Sequence, residues 1–151
     1  MTQLGQYFED FAPGRTYATD RRTITEADHV NFTTSFGFFE PLFMDRAYVT
    51  RETPYEKPII PGALTFSMAE GLTILSGILH GTGMAFLGVE LTVVQPVFIN
   101  DTIRVAIEVV ERRETKKSDR GIVTFSHLVS NQDDQTVMAY TIKRMLRRKS
   151  D

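Results

Sequence analysis

The sequence predicts an α+β fold in which a curved antiparallel sheet wraps around one long central helix. Three observations carry that prediction. The first half of the chain reads as helical and the second as strand-rich, an order that argues against alternating α/β units. One helical stretch, IIPGALTFSMAEGLTILSGILHG, is apolar and small-sided nearly all round and must be enclosed by something large. Three successive alternating segments near the C-terminus are joined by short polar turns, the signature of an antiparallel meander.

The elements follow in order. Arg15 to Ile24 is expected to be a strand. Thr25-Glu26-Ala27-Asp28 reads as a helix start, with Thr25 as cap and two acids in the first turn. That helix is expected to reach Phe36, where Gly37 stops it. Asp45 is expected to cap a second, short helix through Arg46, Ala47 and Tyr48. In the central helix, Leu64, Met68, Leu72, Leu75 and Leu79 recur at spacings of four and three and mark a buried stripe, which His80-Gly81 is expected to end.

From Met84 the period changes to two. AFLGVELTVVQPVFI leads to a turn at Asn100-Asp101. Ile103, Val105, Ile107 and Val109 then share one face of the next strand. IVTFSHLVS and TVMAYTIKRML complete the meander, separated by a turn from Asn131 to Asp134. The basic cluster Lys143, Arg144, Arg147, Arg148 and Lys149 reads as a solvated strand end and terminus. No repeat or interdomain linker interrupts the chain, so residues 1–151 are expected to form a single domain.

Composition limits the chemistry. The chain is 42% hydrophobic and 24% charged, as globular domains are, and its net charge of -2 offers nothing to nucleic acid or an anionic membrane. It has no cysteine, which removes disulfides, thiolate catalysis and cysteine-held metals and makes the reducing cytoplasm the expected location. The first residues carry acids and lack the apolar run of a signal peptide. No pair of the three histidines has metal-ligand spacing, so no metal or cofactor is expected. His29 is expected to face solvent within the first helix, His80 to sit at a helix C-terminus, and His127 to pack on a strand face with Val123, Phe125 and Val129.

Several local strings resemble one family. Residues 37–45, GFFEPLFMD, are similar to the signature Gly-Asp-x-Asn-Pro-Leu-His-x-Asp of MaoC-like dehydratases, a group that includes (R)-specific enoyl-CoA hydratases and adopts the hot-dog fold. Gly37, Pro41, Leu42 and Asp45 match. TITEADHVNF, PIIPGALTFSMAEGL, VVQPVFINDTIRV and VSNQDDQTVM resemble other family segments, with Pro61-Gly62 where a His-Gly pair is common. The departures fall on the chemistry. The family aspartate corresponds to Phe38, the asparagine to Glu40 and the histidine to Phe43.

The resemblance implies a hydratase or dehydratase acting on an acyl-CoA or carrier-protein thioester, at a site lacking the usual Asp-His dyad. Such a reaction needs a base, an acid and donors for an enolate oxygen. Glu40 is the ionisable candidate for the proton transfers, and Gly62 and Ala63, following Pro61, are the candidate oxyanion donors. Phe38 and Phe43 are candidate substrate-binding residues, either as an apolar wall or as filling for a vacated polar site. Two other readings are a non-catalytic thioester-binding protein and a thioesterase using Glu70 or Glu40. Glu70 is expected to face either solvent or the sheet. An open sheet edge beside a large apolar helix points to a homodimer with two sheets joined edge to edge.

Overall fold

The computed structural model describes residues 4–150. Six antiparallel strands form one sheet that does not close, in the order β1-β4-β5-β6-β3 with β2 also on β4. The strands are β1 (Thr16–Ala18), β2 (Arg22–Thr23), β3 (Gly83–Val93), β4 (Thr102–Glu114), β5 (Arg120–Ser130) and β6 (Thr136–Arg147). The helices are α1 (Glu26–Phe36), α2 (Pro41–Met44), α3 (Arg46–Glu52) and α4 (Gly62–Leu75), with a short 3-10 turn at Phe8–Asp10. The α+β hot-dog arrangement is thus the one expected, and β4, β5 and β6 form its meander.

Alternation decides which face is covered. Ile103, Val105, Ile107 and Val109 of β4 are all buried, as are Val123, Phe125, His127 and Val129 of β5. Leu64, Met68 and Leu72 of α4 join the same core. β3 behaves differently. It occupies the sheet edge, and Phe86, Val89, Leu91 and Val93 are all exposed although each pairs in register with β6.

The expected strand from Arg15 to Ile24 is two short strands, both on β4. Thr19 interrupts them, because its hydroxyl accepts the Val105 N–H that a continued backbone ladder would have used. The central helix ends at Leu75, not at His80-Gly81. Gly77 takes a φ of 85° there, and the chain turns so that Gly5 and Gln6 N–H donate to the Gly77 and Ile78 carbonyls. Leu75 therefore leaves the buried stripe and is 74% exposed. His80 lies beyond the helix, exposed in the turns that follow it. The basic cluster is not all solvated. Arg144 is buried against Glu70, and Arg148 pairs with Glu9 and Glu114.

Candidate functional site

Residues 37–45 are held by bonds at both ends. Thr25 and Asp28 form a reciprocal capping box that starts α1, the Asp28 carboxylate accepting from both the Thr25 N–H and its hydroxyl. Arg22 and the Thr25 donors hold the Asp28 carboxyl below its ordinary range, outweighing the opposing effect of burial. Gly37 ends α1 in the left-handed region at φ 75°, and Phe38 N–H donates to the Thr33 carbonyl. Pro41 opens α2, where it sacrifices no helical bond. Asp45 then accepts from Tyr48 N–H to start α3.

His29 joins these pieces. It is buried, not solvent-facing as expected, and its Nε2 lies 2.8 Å from the Phe43 carbonyl oxygen. Its Nδ1 has no partner among the described residues. A second ring of contacts is aromatic, with Phe38 packed between Phe32 at 5.1 Å and Phe43 at 6.3 Å. Phe36 and Phe39 point outward and are 69% and 63% exposed.

Phe43 forms part of a cavity of about 310 Å³ at the start of α4, lined also by Tyr55, Gly62, Thr65, Val93 and Met138. Pro61 is buried just before the helix, and its carbonyl accepts from both Leu64 and Thr65 N–H. The first two helical N–H groups, Gly62 and Ala63, have no acceptor among the described residues. They concentrate the positive end of the helix dipole at the cavity. A Cβ on Gly62 would meet only Val93 Cγ2 at 3.5 Å, so the backbone there tolerates alanine.

The cavity thus gathers Phe43 and Gly62 of the expected site residues. Ala63 is exposed beside it, and Phe38 lies behind Phe43. Glu40 is exposed at the N-cap of α2, its side chain makes no hydrogen bond among the described residues, and its carbonyl accepts the Phe43 N–H. Sequence reasoning missed Tyr55, Thr65 and Gln95, which come to the cavity from a loop, the buried side of α4 and the segment that follows β3. The Thr65 hydroxyl is buried with no partner among the described residues, and the signal for it in the sequence was its helical spacing from Gly62.

Glu70 faces the sheet, where Arg144 Nη2 donates to its two oxygens at 2.9 and 2.5 Å. Among the described residues no group of three or more His, Cys, Asp or Glu could hold a metal ion, and no helix is long and apolar enough to cross a membrane.

The family model described as a MaoC like domain matches residues 9–131. The β-methylmalyl-CoA dehydratase of Chloroflexus aurantiacus is 30% identical over 159 residues, covering 99% of this chain and 42% of that protein. The (R)-specific enoyl-CoA hydratase of Aeromonas caviae is 38% identical over 78 residues, 52% of this chain and 56% of that one. The chain spans between a third and just over half the length of the curated relatives it matches. Among solved structures, the MaoC-like dehydratase from Rhodospirillum rubrum superposes with a TM-score of 0.87 at 25% identity, covering 97% of this chain and all of that one.

Proposed function

Because the chain belongs to the MaoC-like domain family, we propose that it is a hydratase or dehydratase of an acyl-CoA or carrier-protein thioester that works without an Asp-His dyad. The observation that carries this reading is the cavity at the start of α4, where Gly62 and Ala63 N–H have no acceptor of their own. A thioester carbonyl lodged there accepts both N–H groups, and its negative charge grows as water adds to the β-carbon and an enolate forms. Pro61 fixes the helix entry, while Phe43 supplies an apolar wall and Phe38 supports it from behind.

The proton transfers fall to Glu40 and a water. Glu40 is the free carboxylate of the turn that carries Phe43, since Asp45 is occupied in capping α3. Because Glu40 is exposed and does not line the cavity, a water relays between them. The carboxylate receives a proton from the attacking water as oxygen bonds to the β-carbon and returns one to the α-carbon, so no proton is gained or lost. Dehydration runs the same steps in reverse. The whole unit is a single domain over residues 1–151, and the absence of cysteine suits a cytoplasmic setting. A homodimer, formed by antiparallel pairing of two β3 edges, would cover the apolar residues that β3 exposes.

The test is hydration of short, branched and aromatic enoyl-CoA thioesters by wild type and Glu40→Gln. A loss of roughly 10²-fold or more with unchanged circular dichroism supports the assignment. Equal rates remove Glu40 from the mechanism. A second reading, thioester binding without turnover, is favoured by one observation: neither a carboxylate nor an imidazole lines the cavity. Saturable binding of acyl-CoA with no hydration of any substrate in the panel would select it.

A further inference from the structure

α4 runs from the cavity at Gly62 alongside the edge strand β3, and Ile74 near its C-terminal end lines a second cavity. Cross-strand register places Val93 beside Met138, Leu91 beside Tyr140 and Phe86 beside Arg144 on the sheet face that α4 covers. Phe66 of α4 packs on both Phe86 and Tyr140. The side chains between the two cavities are therefore mostly apolar. That second cavity, of about 370 Å³ beside the C-terminal end of α4, is lined by the apolar Ile74, Leu79, Met84 and Phe86 and by two ionisable residues, the exposed His80 and the buried Arg144.

Arg144 is only 9% exposed, and its partner Glu70 sits on α4 a little over two turns beyond Gly62. Nη2 carries both bonds to Glu70, and the other guanidinium nitrogens, Nε and Nη1, have no acceptor among the described residues. A buried guanidinium with unused donors at the wall of a largely apolar cavity is poorly suited to a plain alkyl tail, which would strip its water and return nothing. It is well suited to a ligand oxygen, and best to a carboxylate, which can accept from Nε and Nη1 together.

We propose that the Glu70–Arg144 pair is a specificity site for the distal end of the acyl group, and that the preferred thioesters carry a carboxylate there. The inference rests on the reading that the thioester itself sits at the start of α4. Glu70 fixes the guanidinium and also tempers it, because its own negative charge opposes a second carboxylate.

The experiment is isothermal titration with two matched pairs of saturated thioesters, hexanoyl-CoA against adipoyl-CoA and octanoyl-CoA against suberoyl-CoA. Wild type is expected to bind the diacid thioester of at least one pair roughly tenfold or more tightly. Arg144→Met should abolish that preference, whereas Glu70→Gln should increase it several-fold; a purely structural tie predicts equal losses for all four ligands in both variants. If either variant fails to fold by circular dichroism, the double variant Glu70→Leu/Arg144→Leu keeps the layer apolar and should bind alkyl thioesters better than diacids. Alkyl thioesters bound as well as diacids by wild type, or a preference that survives loss of Arg144, overturns the proposal. Binding is read without turnover. Diacid binding with no enoyl-CoA hydration would overturn the hydratase reading alone, and no binding of any thioester would overturn both.

Discussion

His127 lies fully buried on the inner face of β5, stacked on Tyr140 with ring centroids 4.5 Å apart and edge-on to Phe125. Neither of its ring nitrogens has a partner among the described residues. Burial, reinforced by the positive charge of Arg144, holds its pKa down to about 3. In the unfolded chain the imidazole takes up a proton near its ordinary pKa of about 6.5, while the folded protein keeps it neutral. The unfolded state therefore binds more protons across that interval. Stability from this residue is fully present above about pH 6.5 and is lost progressively as pH falls towards 3.

The size follows from the two pKa values. Between about pH 8 and pH 5 the fold should lose roughly 2 kcal/mol through this one side chain, rising to about 4–5 kcal/mol near pH 3. The assay is urea denaturation at fixed protein concentration, comparing wild type with His127→Leu. Asp28, Glu9 and Asp10 are all held below their ordinary values and titrate beneath the working window. Leucine nearly matches the imidazole in volume and removes two unpartnered polar atoms, so the variant should be at least as stable at pH 8. It should also show about 2 kcal/mol less destabilisation at pH 5. Parallel pH curves for the two proteins would refute the assignment of a neutral, unpaired imidazole in the core.

Asp28→Ala removes the carboxylate from the α1 capping box and from Arg22, and should cost about 1–2 kcal/mol, read as a melting temperature lower by about 3–8 °C. Gly121→Ala would put a Cβ 2.3 Å from Phe8 Cδ2 and 2.5 Å from Cε2, so a loss of about 1–3 kcal/mol is expected in chemical denaturation. An unchanged midpoint would mean that the Phe8 ring moves aside freely. Leu87→Lys with Leu91→Lys places two charges on the β3 edge and should leave a monomer in light scattering. A mass still twice that of the chain would rule out edge-to-edge pairing through β3.

What was legible in the sequence was local. The alternation of Ile103, Val105, Ile107 and Val109 names its own buried face, and Val123 and Phe125 predict the packing of His127 by the same period. Thr25 and Asp28 announce α1 because a capping box spans only three residues, and Gly37 ends it by accepting a left-handed φ. The parts that escaped depend on distant contacts. His29 looked solvated because its partner, the Phe43 carbonyl, is fourteen residues away and carries no side-chain signal. Arg144 looked like part of a basic tail because Glu70 lies 74 residues earlier. The true end of α4 depends on the N-terminal segment docking at Gly77 and Ile78, which a helical period cannot anticipate.

The same distinction bears on the proposal that the site keeps its shape without the usual dyad. The half proposed to face the thioester is made of backbone: two N–H groups, at Gly62 and Ala63, that have no acceptor among the described residues, while the Pro61 carbonyl accepts from the two that follow. Side-chain substitution cannot remove those donors, short of proline or a displaced helix. The half that would transfer protons is made of side chains, and in the resemblance to the family signature Phe38 and Phe43 stand where its aspartate and histidine would be. Neither replacement left a hole, since Phe38 packs on Phe32 and Phe43, and Phe43 forms cavity wall. Restoring Asp at position 38 alone would bury a carboxylate among aromatic rings without a cation to pair it, a costly placement. The ionisable groups the proposal uses instead lie elsewhere in the fold, Glu40 on the outside of the turn and Glu70 with Arg144 beside the second cavity. A carboxylate on the acyl tail would complete that redistribution, because it supplies from the ligand the acceptor that the unused donors of Arg144 lack.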